Sequence, residues 1–244
     1  MADFPEGFSA VVFGAGGGIG SAFVRQLAQD ARIGTVYACS RTSGGDADGK
    51  VVPLSVDILS EDSLSSAAEQ IKEHAPRLVI VASGVLHAGD GVQPEKTWKH
   101  LAKDQMEHVF AINTVAPALI MKHFLPLLPR EGKSVFAALS ARVGSISDNG
   151  MGGWYSYRAS KAALNMLLRT AAIEHGRRWK EACVIGLHPG TVDTGLSEPF
   201  QSNVSSNKLF TPDYSATQML SVIDKVSPED SGQVFDYAGK VIPF

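Results

Sequence analysis

SAVVFGAGGGIG, residues 9–20, is an apolar run that stops abruptly in glycine. SAVVFGA (9–15) has the length and composition of a buried strand. Beyond the glycines Ile19, Ala22, Phe23 and Leu27 recur at helical spacing. A backbone that turns sharply between the two and must approach another group closely cannot carry Cβ atoms. The helix that follows offers unpaired N–H groups and a partial positive charge at its start. A glycine-rich turn alone says little. Set between an N-terminal strand and an amphipathic helix, it predicts a pyrophosphate cradle made of Gly14, Gly16, Gly17, Gly18, Ile19 and Gly20.

Outward from this loop, apolar runs alternate with amphipathic stretches to the end of the chain. TVYACS (35–40), VVPLSVD (51–57), RLVIVASG (77–84), SVFAALS (134–140), ACVIGLHPG (182–190) and GQVFDY (232–237) read as further strands. Residues 60–74 read as a helix capped by Ser60, and helices are predicted over 104–128, despite Pro117, and over 156–176, ending at Gly176. Strands separated by helices need crossover connections, so the sheet is parallel and covered on both faces. The predicted fold is α/β: one doubly wound, Rossmann-type domain over 1–244, with about seven strands. Residues 191–215, rich in Ser, Asn and Pro, are the least regular and are read as a substrate lid within it.

The bulk composition narrows the function. The 244 residues are 44% hydrophobic and 19% charged, ordinary globular usage that needs no metal or disulfide staple. A net charge of −3 with scattered basic residues argues against a nucleic-acid partner. Cys39 and Cys183 sit in apolar runs as core residues, and no Cys or His spacing suggests a metal. MADFPEGF lacks the regions of a signal peptide, and no apolar run reaches the ~18 residues of a membrane span. The expectation is a cytoplasmic protein without a membrane partner.

Two places carry chemistry. The second predicted strand ends in Ser40-Arg41. A carboxylate there would bind a ribose 2′-hydroxyl, whereas an arginine and a hydroxyl suit a 2′-phosphate, so NADP(H) is favoured over NAD(H). Asp46 and Asp48 lie further on, in a glycine-rich loop unsuited to that contact. Tyr157 and Lys161 stand four residues apart, on one face of a helix. A free phenol titrates near ~10 and a neighbouring ammonium is expected to lower it, bringing proton transfer towards neutral pH.

Gly14-x-x-x-Gly18-x-Gly20 followed by Tyr157-x-x-x-Lys161 resembles the short-chain dehydrogenases/reductases, over nearly the whole chain. Phe13 stands where many members have threonine. The resemblance implies hydride transfer between a nicotinamide and a carbonyl or alcohol carbon. Tyr157 would be the general acid/base, Lys161 would tune it and bind the ribose, and Asn113 in FAINTVAP would sustain a proton relay through a water. An alternative for Asn113 is compensation of a kink near Pro117. The family's carbonyl-orienting serine falls at Ala141 when the register is set from Gly144. Ser140 is favoured, and Ser145 and Ser147 stay open. The resemblance further implies cofactor contacts from Asp57 and Ile58, from Ala82-Ser83-Gly84, and from Pro189, Gly190, Thr191, Val192 and Thr194. His188 reads as a strand-end residue without chemistry.

Residues 142–157 and 236–244 resemble the branch holding sniffer-type carbonyl reductases and bacterial C-factor-like proteins. Met151 and Trp154 would line an apolar pocket with Leu196, Phe200 or Phe210. The substrate would be a small carbonyl or alcohol, and a homodimer or tetramer would form through helices 104–128 and 156–176. A second reading is a cofactor-binding signalling protein with little turnover, and a third, an epimerase on a nucleotide sugar, has too short a C-terminal part.

Overall fold

The apolar runs assemble side by side at the centre of the computed structural model, which describes residues 3–42, 49–87, 92–203 and 209–244. β1 (Phe8–Phe13), β2 (Ile33–Ser40), β3 (Val51–Ser55), β4 (Leu78–Val81), β5 (Ser134–Leu139) and β6 (Ala182–His188) are all parallel. A two-residue pair, β7 (Thr191–Val192) with β8 (Leu209–Phe210), forms a separate ribbon. β9 (Val234–Asp236) adds in parallel to β6, and β10 (Val241–Ile242) turns back antiparallel. The main sheet runs β3-β2-β1-β4-β5-β6-β9-β10. Eight strands therefore replace the seven expected; the extra one is too short to carry a periodic signal.

Alternate residues of each strand enter opposite cores, as the pleat requires. Val12, Val36 and Ile185 meet Phe23 and Leu27 of α1 (Gly18–Gln29) and Met219 and Ile223 of α6 (Pro212–Lys225). Val11, Val79, Phe136 and Val184 meet the other layer. That layer is α2 (Glu61–Ile71), α3 (Lys103–Phe110), α4 (Ala116–Phe124) and α5 (Tyr155–His175). Ser60 caps α2 by accepting Ser63 N–H at 3.3 Å. β3 departs from the expected buried run: it is the sheet edge, with Val52 exposed, and only there can Pro53 replace a ladder donor.

The predicted 104–128 helix is interrupted. Between α3 and α4, Ala111–Val115 is a π-turn, where Ala116 N–H reaches back to Ala111 O. Pro117 has no N–H for the carbonyl four residues earlier, and the ladder widens just before it. No uninterrupted apolar run is membrane-length, yet the composite Lys103–Leu127 helix is long and apolar enough to cross a membrane. Here Ile120, Phe124 and Leu125 are buried beneath the sheet.

The chain leaves β3 at one edge and returns at β4, on the other side of β1. This reversal opens a crevice at the carboxyl ends of β1 and β4, where ligands of open α/β sheets bind.

Candidate active site

The glycine loop lies in that crevice. Gly14 has φ +79°, and a Cβ there would stand 2.8 Å from Ser83 N. A Cβ on Gly20 would stand 2.0 Å from Gly14 O, so loop and helix touch backbone to backbone. Gly16 and Gly17 are instead exposed on the rim. α1 starts from Gly17 with no side-chain cap and no acidic residue in its first turn. Its free N–H groups at Gly18, Ile19 and Gly20 suit an anion, so the loop fits a dinucleotide's phosphates. At the end of β2 Arg41 is exposed, while Ser40 Oγ donates to Thr42 O at 2.6 Å. Asp57 is exposed with Oδ1 accepting Leu59 N–H, and Ile58 packs partly into the core. Asp46 and Asp48 lie outside the described residues.

α5 carries the phenol and the amine. The residue before it, Trp154, is left-handed at φ 51° and supplies no side-chain cap. Glu95, only 2% exposed, takes that role from a distant loop. Its Oε2 accepts Ser156 N–H at 3.1 Å, Oε1 accepts the Ser156 hydroxyl and Gln105 Nε2, and its carbonyl accepts Trp154 N–H at 2.6 Å. A buried carboxylate thus anchors the helix start two residues from Tyr157. No local pattern marks Glu95, because its target is sixty-one residues away in sequence.

Tyr157 and Lys161 both line a cavity of about 260 Å³ at the crevice. Lys161 Nζ donates to Leu139 O at 2.8 Å and lies 5.8 Å from the Tyr157 ring centroid. Burial pushes the phenol up to about 12 and the ammonium down to about 8. This corrects the expectation that the lysine lowers the phenol. The ammonium is directed at a carbonyl rather than the phenolic oxygen, and an apolar enclosure penalises both charged forms.

Asn113 is wholly buried in the π-turn. Its Oδ1 accepts Val85 N–H, and Nδ2 donates to Val85 O and Ser160 Oγ. Ser160 Oγ in turn donates to Tyr157 O at 2.8 Å. The side chain thus clamps the loop after β4 to α5, and none of these bonds goes to a backbone group of the kinked helix itself. A Cβ on Gly84 would lie 3.4 Å from Asn113 Oδ1 and 3.6 Å from Lys161 Nζ, so three cofactor and relay candidates converge there.

The two serines separate. Ser140 lines the cavity, its N–H donating to Leu187 O and its Oγ donating to Asn165 Oδ1 at 2.6 Å. Asn165, buried one turn beyond Lys161, was not singled out by any motif. Ser145 is buried away from the cavity lining, accepting Asp148 N–H, and Ser147 Oγ donates to Phe244 O. His188 also lines the cavity, and its Nδ1 is enclosed with no hydrogen-bond partner.

After β6, Pro189 O accepts Ser215 Oγ, and Gly190 adopts φ +80° against the Phe210 ring. Ala82, Ser83, Thr191, Val192 and Thr194 reach the cavity wall, together with Leu196 and Ser197 of the 191–215 segment. His87 Nε2 meets Gly195 O at 2.7 Å across the opening. Of the expected pocket residues, Trp154 and Leu196 are present. Met151 is instead 93% exposed, because the 150–153 turn is held outward by left-handed glycines at 152 and 153. Phe210 packs on Tyr214 and Tyr237, and the side chain of Phe200 lies outside the described residues.

A parallel sheet with a glycine cradle and a phenol–amine helix at its switch point defines a dinucleotide-crevice oxidoreductase. Residues 9–205 match the short chain dehydrogenase family. The chain is 34% identical to 1-hydroxy-2-glutathionyl-2-methyl-3-butene dehydrogenase of Rhodococcus sp. (strain AD45), covering 92% of this chain and 94% of that one. It is 37% identical to the C-signal protein of Myxococcus xanthus over 57% of this chain and 78% of that one. The NADPH-bound carbonyl reductase from chicken fatty liver superposes with a TM-score of 0.85 at 27% identity, over 99% of this chain and 96% of that one. The chain belongs to the short-chain dehydrogenase/reductase family and is an oxidoreductase.

Proposed function

We propose that this oxidoreductase interconverts a small carbonyl compound and its alcohol with NADP(H), Tyr157 acting as general acid/base. The observation that carries the reading is one cavity shared by Tyr157, Lys161 and Ser140 beside a glycine cradle with an open rim. The nicotinamide, when bound, supplies the hydride. A phenol held near 12 keeps its proton at neutral pH and so stands ready to give it to a carbonyl oxygen. Lys161, largely protonated below about 8, lines the same cavity and donates to a ribose. Ser140 aligns the oxygen, and Asn113 holds the π-turn through which a water relay would pass. Residues 191–215 serve as the lid, supported by Thr194, Leu196 and Ser197 on the cavity wall.

The NADP(H) preference rests on Arg41 and on the absence of a carboxylate where β2 ends. The NADPH bound in the chicken carbonyl reductase supports it. Exposed Val115, Met166 and Ile173 on the α4 and α5 side support assembly into a dimer or tetramer. Unbridged, buried Cys39 and Cys183 suit a cytoplasmic setting.

A signalling protein with little turnover is favoured by the C-signal match alone. A panel of aldehydes, ketones and quinones with NADPH and with NADH, followed by loss of nicotinamide absorbance, separates the two. Turnover of at least one carbonyl, faster with NADPH, is expected; binding of NADPH without turnover of any would favour the signalling reading.

A further inference from the structure

The cavity wall carries a polar row that the reaction above does not use up. Leu139 pairs with Leu187 and His188 with Asp236, so Ser140, His188 and Asp236 take successive places across the ends of β5, β6 and β9. Residues so placed project from the same face of the sheet, here the face packed by α5. Ser140 Oγ donates to Asn165 Oδ1 at 2.6 Å, a bond it must exchange in order to donate to a carbonyl oxygen. Arg142, also on the cavity wall, is bound to Asp148 at 3.2 Å and to Asp236 at 3.3 Å. Nδ1 of the His188 ring is shut away from solvent and has no hydrogen-bond partner among the described residues. The charged groups that act on it are Arg142 and Asp236, while the cavity it lines also has apolar wall residues, Leu86, Val143, Trp154 and Leu196. Nδ1 is enclosed beyond a ligand's reach, so the part of the ring that lines the cavity is the part a ligand can meet.

We propose that His188 is a specificity-determining residue that hydrogen-bonds a second oxygen of the substrate, carried on the carbon next to the reacting carbonyl. The inference rests on the reading of this cavity as a carbonyl-reducing site. One strand spacing, ~4.8 Å, separates the backbones of Ser140 and His188. That spacing is of the order of the reach from a carbonyl oxygen to a hydroxyl on the next carbon, so the group that meets His188 is assigned to that carbon. The substrate class is an α-hydroxy carbonyl compound. A hydroxyl both donates and accepts, so it satisfies a neutral imidazole in either tautomer. The ring is neutral across the working range, because burial first, and Arg142 second, hold it down near about 4 against the opposing pull of Asp236.

A site built to hydrogen-bond a substrate hydroxyl discriminates against the analogue lacking it more strongly than an apolar pocket separates shapes. 2-Hydroxyacetophenone and propiophenone differ only by hydroxyl against methyl and make the test. With NADPH, the wild-type protein should prefer the hydroxyketone by about tenfold or more in kcat/KM. His188→Leu should shrink that ratio by about tenfold, His188→Asn should restore part of it, and the wild-type ratio should stay flat from pH 6 to 8. Thermal melting verifies folding, and His188→Met replaces the leucine variant if that one does not fold. A ratio unchanged in the leucine or methionine variant overturns the assignment of His188 while leaving carbonyl reduction standing. Wild-type protein that binds NADPH but reduces neither ketone nor any other carbonyl overturns both.

Discussion

Replacing Lys161 by methionine removes an ammonium that burial holds near about 8, against an unfolded-state value near ~10.4. Between those two values the unfolded chain binds the proton and the folded protein does not. Wild-type stability therefore rises with pH across that window, and below about 8 the full cost of burying the charge is present. Lys161 is 3% exposed, so solvent screening discounts the effect little. Linkage with these values gives a gain of about 2 kcal/mol from pH 7 to pH 9.5 that the methionine variant lacks. Urea unfolding of both proteins without cofactor, at half-unit pH steps, measures it, since all other titrations cancel in the difference. The wild-type curve should climb relative to the variant by that amount. Parallel curves would mean that Lys161 titrates as a solvated lysine and that the buried amine beside Tyr157 is not as described.

The remaining expectations are quick to check. Ser140→Ala should slow carbonyl reduction tenfold or more and Ser145→Ala less than twofold, because only Ser140 reaches the cavity; steady-state kinetics showing the reverse order would move the role. Arg41→Ala should weaken NADPH by about tenfold and leave NADH nearly untouched, by calorimetry, as expected for one lost phosphate contact. Glu95→Ala leaves the first turn of α5 without its cap, costing about 2 kcal/mol in stability. It should also cut kcat by a larger factor than it raises KM, since the anchored Ser156 directly precedes Tyr157.

The parts of the fold written in local pattern were legible: apolar runs divided by amphipathic stretches gave a parallel sheet covered by helices, and SAVVFGAGGGIG gave the phosphate cradle, whereas the order of the strands came only with the structure. The Tyr157/Lys161 pair was legible because helical spacing alone places both on one face. Features made by contacts between distant segments were not. Glu95 caps a helix it does not adjoin, and Asn165 reaches Ser140 from the next turn after Lys161. His188 acquires meaning only from the register that sets it beside Ser140 and Asp236. β7, β8 and β10, two residues each, are too short for any periodicity to appear. The electrostatic expectation failed for a related reason. Proximity along a helix was visible, but the depth of the enclosure, which raises the phenol and lowers the amine, is set by the whole chain.

The proton-transfer role of one phenol is the claim on which the chemistry turns. Tyr157→Phe, assayed with NADPH and any carbonyl the wild-type protein reduces, should lose turnover by at least a hundredfold while its NADPH affinity stays within twofold. Turnover at the wild-type rate in that variant would contradict the account.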